Sequence, residues 1–352
     1  MKIIDISGLG HSGKTSVTDL LREVNGITVH YGSFEFGLLR LPDGMIDLKS
    51  AIVDNWSPVR SDFAIKRFKK LYSALAPTYV EFIHPDFLKL SEEYAQSIVT
   101  DTLLVNWYDS LYDTFPGYKT KIKAILKIAN LLTVFRTLKK KVPGTGNHNK
   151  NTVYLVDNSD FIQKTKDYLI KILSIYKGAE IQTVVTNNTF EPFNPEKSME
   201  LFDDAFCVIV DRDPRDIYLS ALNSQGLFIP DFEKNNPAIT QKFIENQKQD
   251  MLGTHNIGTF IERQKIYRKN IVNSDNPRII RIHYEDMIYN YEKTVKELFI
   301  QLDIDPKKHI YKKKYFNPEI SKKNVGLWKN HKHLREITLI EKELKDYLYI
   351  TK

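Results

Sequence analysis

The chain has 352 residues, of which 42% are hydrophobic, and its formal net charge at pH 7 is +7. This length and composition allow a large buried core, as one large domain or as a core with a lid. The longest apolar runs are far shorter than a membrane span, and Met1 leads directly into a predicted strand without a signal peptide, so we expect a cytoplasmic protein. The basic charge suggests an anionic ligand, although no motif of RNA- or DNA-binding proteins accompanies it.

Six short segments have the composition of β-strands, because they are rich in Ile and Val and are bounded by polar residues, Gly or Pro. Segments with apolar residues three and four apart, such as 160–176 and 285–302, lie between most of them and predict helices. This alternation predicts an α/β fold, in which helices flank a parallel sheet. The predicted strands are Ile3–Ser7, Ile27–Tyr31, Val153–Asp157, Ile181–Thr186, Phe206–Asp211 and Arg278–His283.

The predicted organisation is a single domain with a core of residues 1–44 and 143–352 and a mostly helical insertion at about 45–142. We expect the insertion to form a substrate-side subdomain, and the Gly- and Pro-containing segment 143–147 to be a mobile loop at its end. Residues 119–141 form a basic amphipathic pattern. Such a helix can contact an anionic membrane surface, or it can be a packed helix with a charged outer face.

The segment Gly8–Thr15 follows the first predicted strand and has the pattern G-x-x-x-x-G-K-T, in the strand–loop–helix context of a P-loop. Its glycines let successive backbone N–H groups point into one concavity, and the helix N-terminus and Lys14 add positive charge. Such a loop binds a phosphate or sulfate group. The residues predicted to bind it are Gly10, His11, Ser12, Gly13, Lys14, Thr15 and Ser16.

A second charged segment, Asp211–Ser220, follows the apolar strand that contains the single cysteine, Cys207, which we expect in the core. Arg212 is predicted at the carboxyl end of this strand, where open α/β sheets bind ligands, and Ser220 lies eight residues later in a helix. A guanidinium and a hydroxyl suit one phosphate group. The charges alone fit equally well a capped helix with Arg–Asp pairs on a solvated face.

The segment from Arg212 to Ser220, RDPRDIYLS, resembles the 3′-phosphate-binding motif of sulfotransferases that use 3′-phosphoadenosine 5′-phosphosulfate (PAPS). In that family the first Arg and the Ser bind the 3′-phosphate of the cofactor. Residues 281–287 are similar to the family's Tyr-Glu-Asp-Leu segment, and residues 322–331 to its Gly-x-Trp-Lys-Asn stretch. The resemblance covers the core but not the insertion. It implies sulfuryl transfer to a hydroxyl, with PAPS bound by the P-loop and by Arg212, Ser220, Tyr284, Lys322 and Lys323.

Two segments depart from the family pattern. The family's phosphosulfate loop has a lysine where this chain has His11, and the lysine of this chain, Lys14, comes three residues later, as in kinases. We therefore take both as candidate catalytic residues, with Lys14 assigned from its chemistry. In the C-terminal stretch, the family's Arg-Lys-Gly corresponds to 321–323, so that binding of the 3′-phosphate depends on Lys322 and Lys323 without an arginine.

Glu35 is the candidate base that takes the proton of the acceptor hydroxyl. It follows the second predicted strand and should therefore lie at the same edge of the sheet as the P-loop. Glycan-modifying sulfotransferases are similar, because a catalytic Glu follows their loop at about this distance beside aromatic residues, here Phe34 and Phe36. This similarity and the aromatic content favour a carbohydrate acceptor. A surface Glu without a catalytic role fits the same position.

His84 in the insertion and His255 beyond the Arg212 helix are further candidates for binding the acceptor, although plain polar loop residues fit them too. The predicted partners are a nucleotide donor and a glycan or another hydroxyl acceptor, without nucleic acid and without a metal. Two other classes of function stay open. A P-loop kinase would need Mg²⁺ held by Thr15 and by Asp157 or Asp211, and a nucleotide-binding protein without enzymatic activity would need no base near the loop.

Overall fold

The computed structural model describes residues 1–29, 35–105, 151–176, 179–223, 252–330 and 332–350. The strands are β1 (Lys2–Ser7), β2 (Ile27–Val29), β3 (Val99–Val105), β4 (Asn151–Val156), β5 (Ile175–Tyr176), β6 (Ala179–Glu180), β7 (Thr183–Asn187), β8 (Asp204–Asp211) and β9 (Ile279–His283). The α-helices are α1 (Lys14–Arg22), α2 (Met45–Lys49), α3 (Pro58–Phe82), α4 (Phe87–Ser97), α5 (Phe161–Leu173), α6 (Pro195–Met199), α7 (Pro214–Asn223), α8 (Ile257–Asn270), α9 (Tyr284–Tyr289), α10 (Tyr291–Gln301), α11 (Pro318–Ser321) and α12 (Leu334–Glu343). One π-helical turn, Ser50–Asp54, continues α2.

A parallel sheet of five strands in the order β2–β7–β1–β8–β9 forms the centre of the described structure. The predicted fold class, α/β with a parallel sheet flanked by helices, is confirmed. β1 lies in the middle, with β7 on one side and β8 on the other. Because all five strands are parallel, their carboxyl ends lie at one edge of the sheet. At that edge the end of β1 lies between the ends of β7 and β8. This is the position at which open α/β sheets bind ligands.

The two faces of the sheet belong to two different parts of the core. Ile3 of β1 faces a cluster that includes Phe68 of α3, Tyr94 of α4 and Leu169 of α5, and Cys207 lies fully buried in it, as predicted. Ile4 faces a second cluster, which contains residues of α1, α9 and α10. A third cluster joins α7, α8 and α12. The helical insertion thus covers one face, and the helix after the P-loop covers the other.

One predicted strand does not belong to the parallel sheet. Residues 151–156 form β4, but β4 pairs in antiparallel orientation with β3 in a separate sheet of two strands. Asp62 of α3 accepts a hydrogen bond from the Tyr154 backbone N–H at 2.9 Å, and Trp56 Nε1 donates to the Val156 carbonyl at 3.0 Å. The prediction that this strand extends the parallel sheet is therefore wrong, because β4 packs on the insertion.

Two helical predictions also change. The described part of the insertion holds α2, α3 and α4 as expected, but it also contains strand β3. The helix predicted at 285–302 is broken at Asn290 into α9 and α10. The predicted basic helix 119–141 and loop 143–147 lie outside the described residues. Within those that are described, no helix combines the length and the apolar character needed to cross a membrane.

Candidate functional site

The P-loop connects β1 to α1 and is packed so closely that two of its glycines cannot carry a side chain. A Cβ atom on Gly13, whose φ is 90°, would lie 2.4 Å from Cδ2 of Tyr284. A Cβ atom on Gly8 would lie 2.6 Å from the carbonyl oxygen of Val210 in β8. The Lys14 ammonium closes the loop by donating to the Gly8 carbonyl at 3.0 Å. The loop is therefore packed closely against β8 and Tyr284.

Lys14 carries its charge in a largely buried position. Its side chain is 13% exposed, and its Nζ lies 3.9 Å from Oε1 of Glu35. Burial lowers the pKa of Lys14, while the carboxylates of Glu35 and Asp5 oppose that effect. A cation with so little hydration interacts more strongly with an anion than one in water. The structure thus places a largely buried ammonium group next to the carboxylate predicted as the base.

Arg212 brings together the other predicted donor-site segments. Its side chain is buried, Nη1 donates to the His11 carbonyl at 2.9 Å, and Nη2 donates to the Asn324 carbonyl at 2.6 Å. Its guanidinium lies 4.9 Å from the centre of the Tyr284 ring. Ser220 Oγ lies 3.4 Å from Nδ1 of His11. The P-loop, the Arg212 helix α7, Tyr284 and the C-terminal basic stretch therefore meet at one point.

The remaining charges of the Arg212 motif hold the C-terminal stretch in place. Arg215 pairs with Asp213 at 2.6 Å and with Glu341 of α12 at 2.8 Å. Its guanidinium lies 3.6 Å from the centre of the Trp328 ring. Asp216 Oδ2 accepts a hydrogen bond from the backbone N–H of Gly326 at 2.7 Å. These arginine and aspartate side chains are buried, so the interpretation as charge pairs on a solvated face is wrong.

Glu35 lies in a cluster of charged and polar groups beside the P-loop. Its carboxylate pairs with Arg40, and its Oε1 accepts a hydrogen bond from Nδ2 of Asn188 at 2.8 Å. Arg40 also contacts Glu191 at 3.3 Å. No local sequence pattern marks Arg40, Asn188 or Glu191 as site residues. The one available signal was that Asn188 directly follows β7, whose carboxyl end meets the same edge of the sheet as the P-loop.

The two predicted histidines, His84 and His255, lie in different parts of the fold and differ in their exposure. His84 is buried in the turn between α3 and α4, where its Nδ1 accepts from the Asp86 N–H at 3.0 Å. The backbone N–H of His84 donates to the carbonyl of Tyr79. The Tyr79 ring stacks on Phe36 at a centroid distance of 5.4 Å, so this turn adjoins the segment that contains Glu35. His255 is exposed just before α8. Neither position decides whether these residues contact an acceptor, and both stay candidates.

The remaining predicted site residues surround these contacts. Lys322 and Lys323 are exposed and form a short 3₁₀ turn with Asn324, the residue whose carbonyl receives Arg212. Thr15 is exposed in the first turn of α1. Ser16 Oγ donates to the carbonyl of Gly13 at 2.7 Å. The C-terminal lysines thus flank the point where the four donor-site segments meet.

Glu285 is a buried carboxyl group next to the start of α7. It is 1% exposed, and its Oε1 accepts from the Asp213 backbone N–H at 2.8 Å, at the start of α7. Burial raises the pKa of Glu285 to about 7. The folded protein therefore holds a proton that the unfolded chain releases near pH 4.3. The contribution of this proton to the free energy of unfolding is complete below about pH 4.3. It is lost as the pH rises through about 7.

We expect the substitution Glu285→Gln to remove this pH dependence, because a glutamine keeps the oxygen that accepts from Asp213 and cannot ionise. Relative to wild type, the free energy of unfolding of the variant should rise by about 1–3 kcal/mol between pH 5 and pH 8. Urea unfolding of both proteins at the two pH values measures this double difference. A difference that is the same at both pH values would show that the Glu285 proton is not retained on folding.

Comparisons with known proteins give structural likenesses only. No protein-family model and no curated protein matches the chain. A sulfotransferase from Mycobacterium tuberculosis shares 10% identity over 92% of this chain and 76% of its own, with a TM-score of 0.33. The sulfotransferase domain from the curacin biosynthetic pathway shares 11% identity over 98% and 97%, with a TM-score of 0.39. Retinol dehydratase, in complex with androsterone and the inactive cofactor PAP, shares 14% identity over 100% and 82%, with a TM-score of 0.35. At these values the function has to be inferred from the site residues.

Proposed function

We propose that the protein is a cytoplasmic sulfotransferase that moves the sulfuryl group of PAPS to an acceptor hydroxyl. The observation that supports this most is the position of Arg212, which donates to carbonyls of the P-loop and of the C-terminal basic stretch. Its P-loop partner, His11, also contacts Ser220. A P-loop alone suits many nucleotides. Arg212 is a second cationic group next to the P-loop, held there by contacts between segments that are distant in sequence. Such a pair of cationic groups suits a nucleotide with a further phosphate group.

The donor-site residues fit a nucleotide of this kind. In the described part of the chain, Ser12 Oγ and Arg212 Nε are among several buried side-chain atoms that have no hydrogen-bond partner, and each such group costs free energy until it is paired. The P-loop N–H groups and Lys14 would hold the phosphosulfate, and the 3′-phosphate would be held by Arg212 and Ser220. Tyr284, Lys322, Lys323 and the His11 side chain complete this proposed site. PAPS supplies a sulfuryl group bonded to a phosphate that can leave.

In the proposed mechanism, Glu35 and Lys14 have separate roles. Glu35 takes the proton of the acceptor hydroxyl as its oxygen forms the new bond to sulfur. Lys14 offsets the negative charge that remains on the phosphate oxygen when the old bond to sulfur breaks. Lys14 Nζ and Glu35 Oε1 are 3.9 Å apart, so both groups could act on the same reacting centre. Positioning and electrostatic stabilisation would supply most of the rate enhancement, as in phosphoryl transfer.

We propose a carbohydrate as the acceptor on the basis of Glu35, which follows β2 and lies beside the P-loop. His84 and His255 are proposed to line the acceptor side. Phe36 does not support this assignment, because it is 1% exposed and stacks on Tyr79 in the core. Stacking on a sugar ring would have to come from other aromatic side chains.

The kinase alternative requires a carboxylate that can hold Mg²⁺ near Thr15. Asp211 pairs with Arg268 at 2.8 Å and accepts from the Arg212 N–H at 2.7 Å, so both of its oxygens are engaged. Asp157 directly follows β4, which belongs to the separate sheet. These contacts favour the sulfotransferase. The position of Glu35 next to Lys14 favours an enzyme over a protein that only binds a nucleotide.

Thermal shift with two nucleotides tests the proposal. Adenosine 3′,5′-bisphosphate, the product of PAPS, should raise the melting temperature much more than ATP–Mg²⁺. A ligand at about 100 times its dissociation constant stabilises by about 2.7 kcal/mol. The transfer itself is then measured as bisphosphate released from PAPS with and without an oligosaccharide acceptor. Stabilisation by ATP–Mg²⁺ and not by the bisphosphate would support the kinase instead.

A further inference from the structure

Asn188 connects the P-loop to Glu35 through a single side chain. Its Oδ1 accepts from the backbone N–H of Gly8 at 3.1 Å, and its Nδ2 donates to Glu35 Oε1 at 2.8 Å. The backbone N–H of Asn188 donates to the carbonyl of Ile6 in β1 at 3.0 Å. One amide therefore spans the start of the phosphate-binding loop and the carboxylate that faces it.

The backbone around Asn188 is held in one conformation. Its φ is 47°, a left-handed value that asparagine adopts more readily than most residues. The next two backbone N–H groups, of Thr189 and Phe190, donate to the carboxylate of Asp5 at 2.8 and 3.2 Å. Asp5 is fully buried in β1 and also accepts from Thr186 Oγ1 at 2.9 Å. The strand that precedes the P-loop thus fixes the position from which Asn188 reaches both partners.

The hydrogen-bonding partners determine which way the amide of Asn188 faces. The Gly8 N–H can only donate, so the side-chain oxygen must lie toward the P-loop. The amide NH₂ then lies toward Glu35, which accepts. The second carboxylate oxygen of Glu35 pairs with Arg40. Asn188 and Arg40 therefore contact different oxygens of Glu35, and Lys14 Nζ lies 3.9 Å from the oxygen that accepts from Asn188.

We propose that Asn188 is a positioning residue for the base: it orients the Glu35 carboxylate relative to the P-loop, where the donor binds. This inference rests on the proposed function, in which Glu35 accepts the acceptor proton. A base that is held in place accelerates the chemical step and contributes little to ground-state binding. Loss of the amide should therefore lower kcat and leave the affinity for the bisphosphate nearly unchanged.

Two substitutions of Asn188 test this, and the kcat–pH profile distinguishes them. Asn188→Asp keeps the size of the side chain and an oxygen for the Gly8 N–H, but it places a negative charge against Glu35. A misplaced catalytic group can cost about 10²-fold in rate, and we expect a loss of kcat of that order. The acidic limb of the profile should also move to higher pH, because a neighbouring like charge disfavours an ionised carboxylate. Asn188→Gly removes the amide without backbone strain and should lower kcat without moving that limb.

The control is Asn270→Asp, which adds the same charge at an exposed position at the end of α8 and should change neither quantity. Wild-type kcat and an unmoved acidic limb in Asn188→Asp would overturn the inference, as would an equal loss of bisphosphate affinity in both variants. If Asn188→Asp does not fold, wild-type kcat in Asn188→Gly overturns it. A wild-type protein that binds the bisphosphate but transfers no sulfuryl group would overturn the proposed function itself, and this outcome is visible before any variant is made.

Discussion

Glu35→Gln should lower kcat by about 10²–10⁴-fold, which is the usual contribution of a general base. The glutamine keeps the shape of the side chain and can still accept from Asn188, but it cannot take the proton of the acceptor hydroxyl. Affinity for adenosine 3′,5′-bisphosphate should change little, because in the proposed mechanism Glu35 acts on the acceptor and not on the nucleotide. Bisphosphate release in a steady-state assay gives kcat, and calorimetric titration gives the affinity.

The matched control for this prediction is Glu191→Gln. Glu191 contacts the same arginine, Arg40, at 3.3 Å, and the chemical change is identical, so a general effect of removing a carboxylate from this cluster would show in both variants. Near-normal turnover in Glu35→Gln, together with its loss in His84→Ala or His255→Ala, would assign the base to the histidine. The carbohydrate acceptor, which we inferred from Glu35, would then lose its support.

Arg212→Ala should weaken the binding of adenosine 3′,5′-bisphosphate by more than about tenfold. A hydrogen bond to a charged group contributes about 1.5–3 kcal/mol, and 1.4 kcal/mol corresponds to a factor of ten. Adenosine 5′-monophosphate, which lacks the 3′-phosphate, should bind almost as before. The quantity to measure is therefore the ratio of the two dissociation constants, since it isolates the 3′-phosphate from the rest of the nucleotide.

Arg215→Ala is the control for Arg212→Ala, because Arg215 is a second buried arginine in the same motif. Its partners are Asp213, Glu341 and Trp328, so its loss should lower the melting temperature and leave the ratio of the two dissociation constants unchanged. If Arg212→Ala weakened both nucleotides equally, Arg212 would be a structural tie between the P-loop and the C-terminal stretch only.

Local sequence patterns predicted most of the sheet but not the partner of every strand. Predicted strands at 3–7, 27–31, 181–186, 206–211 and 278–283 each overlap a strand of the parallel sheet. The segment at 153–157 has the same composition, yet its strand pairs with β3 of the insertion. Composition indicates that a segment is extended and half-buried, whereas its neighbour is decided by contacts far along the chain.

The site shows the same division between local and long-range information. The P-loop and the Arg212 motif were predictable, because each is a continuous segment whose spacing has a chemical reason. The contacts of Asn188 and Arg40 with Glu35 could not be predicted, because no motif marks them. Asn188 lies 153 positions from Glu35, and Arg40 lies 5 positions from it. The location of Glu35 at the same edge of the sheet as the P-loop could be predicted, because this residue follows a predicted strand. Which groups hold its two oxygens could not.

The central position of β1 also has a consequence for how the chain is made. Lys2 pairs with Thr183 on one side and with Asp204 on the other, so both neighbours of β1 are synthesised about 180–200 residues later. At a synthesis rate of about 5–20 residues per second, this apolar strand waits roughly 10–40 s on the ribosome for its partners. During that interval its edges are open to incorrect pairing. The P-loop is translated before both partner strands, but it can take its final form only when the distant half of the sheet has emerged.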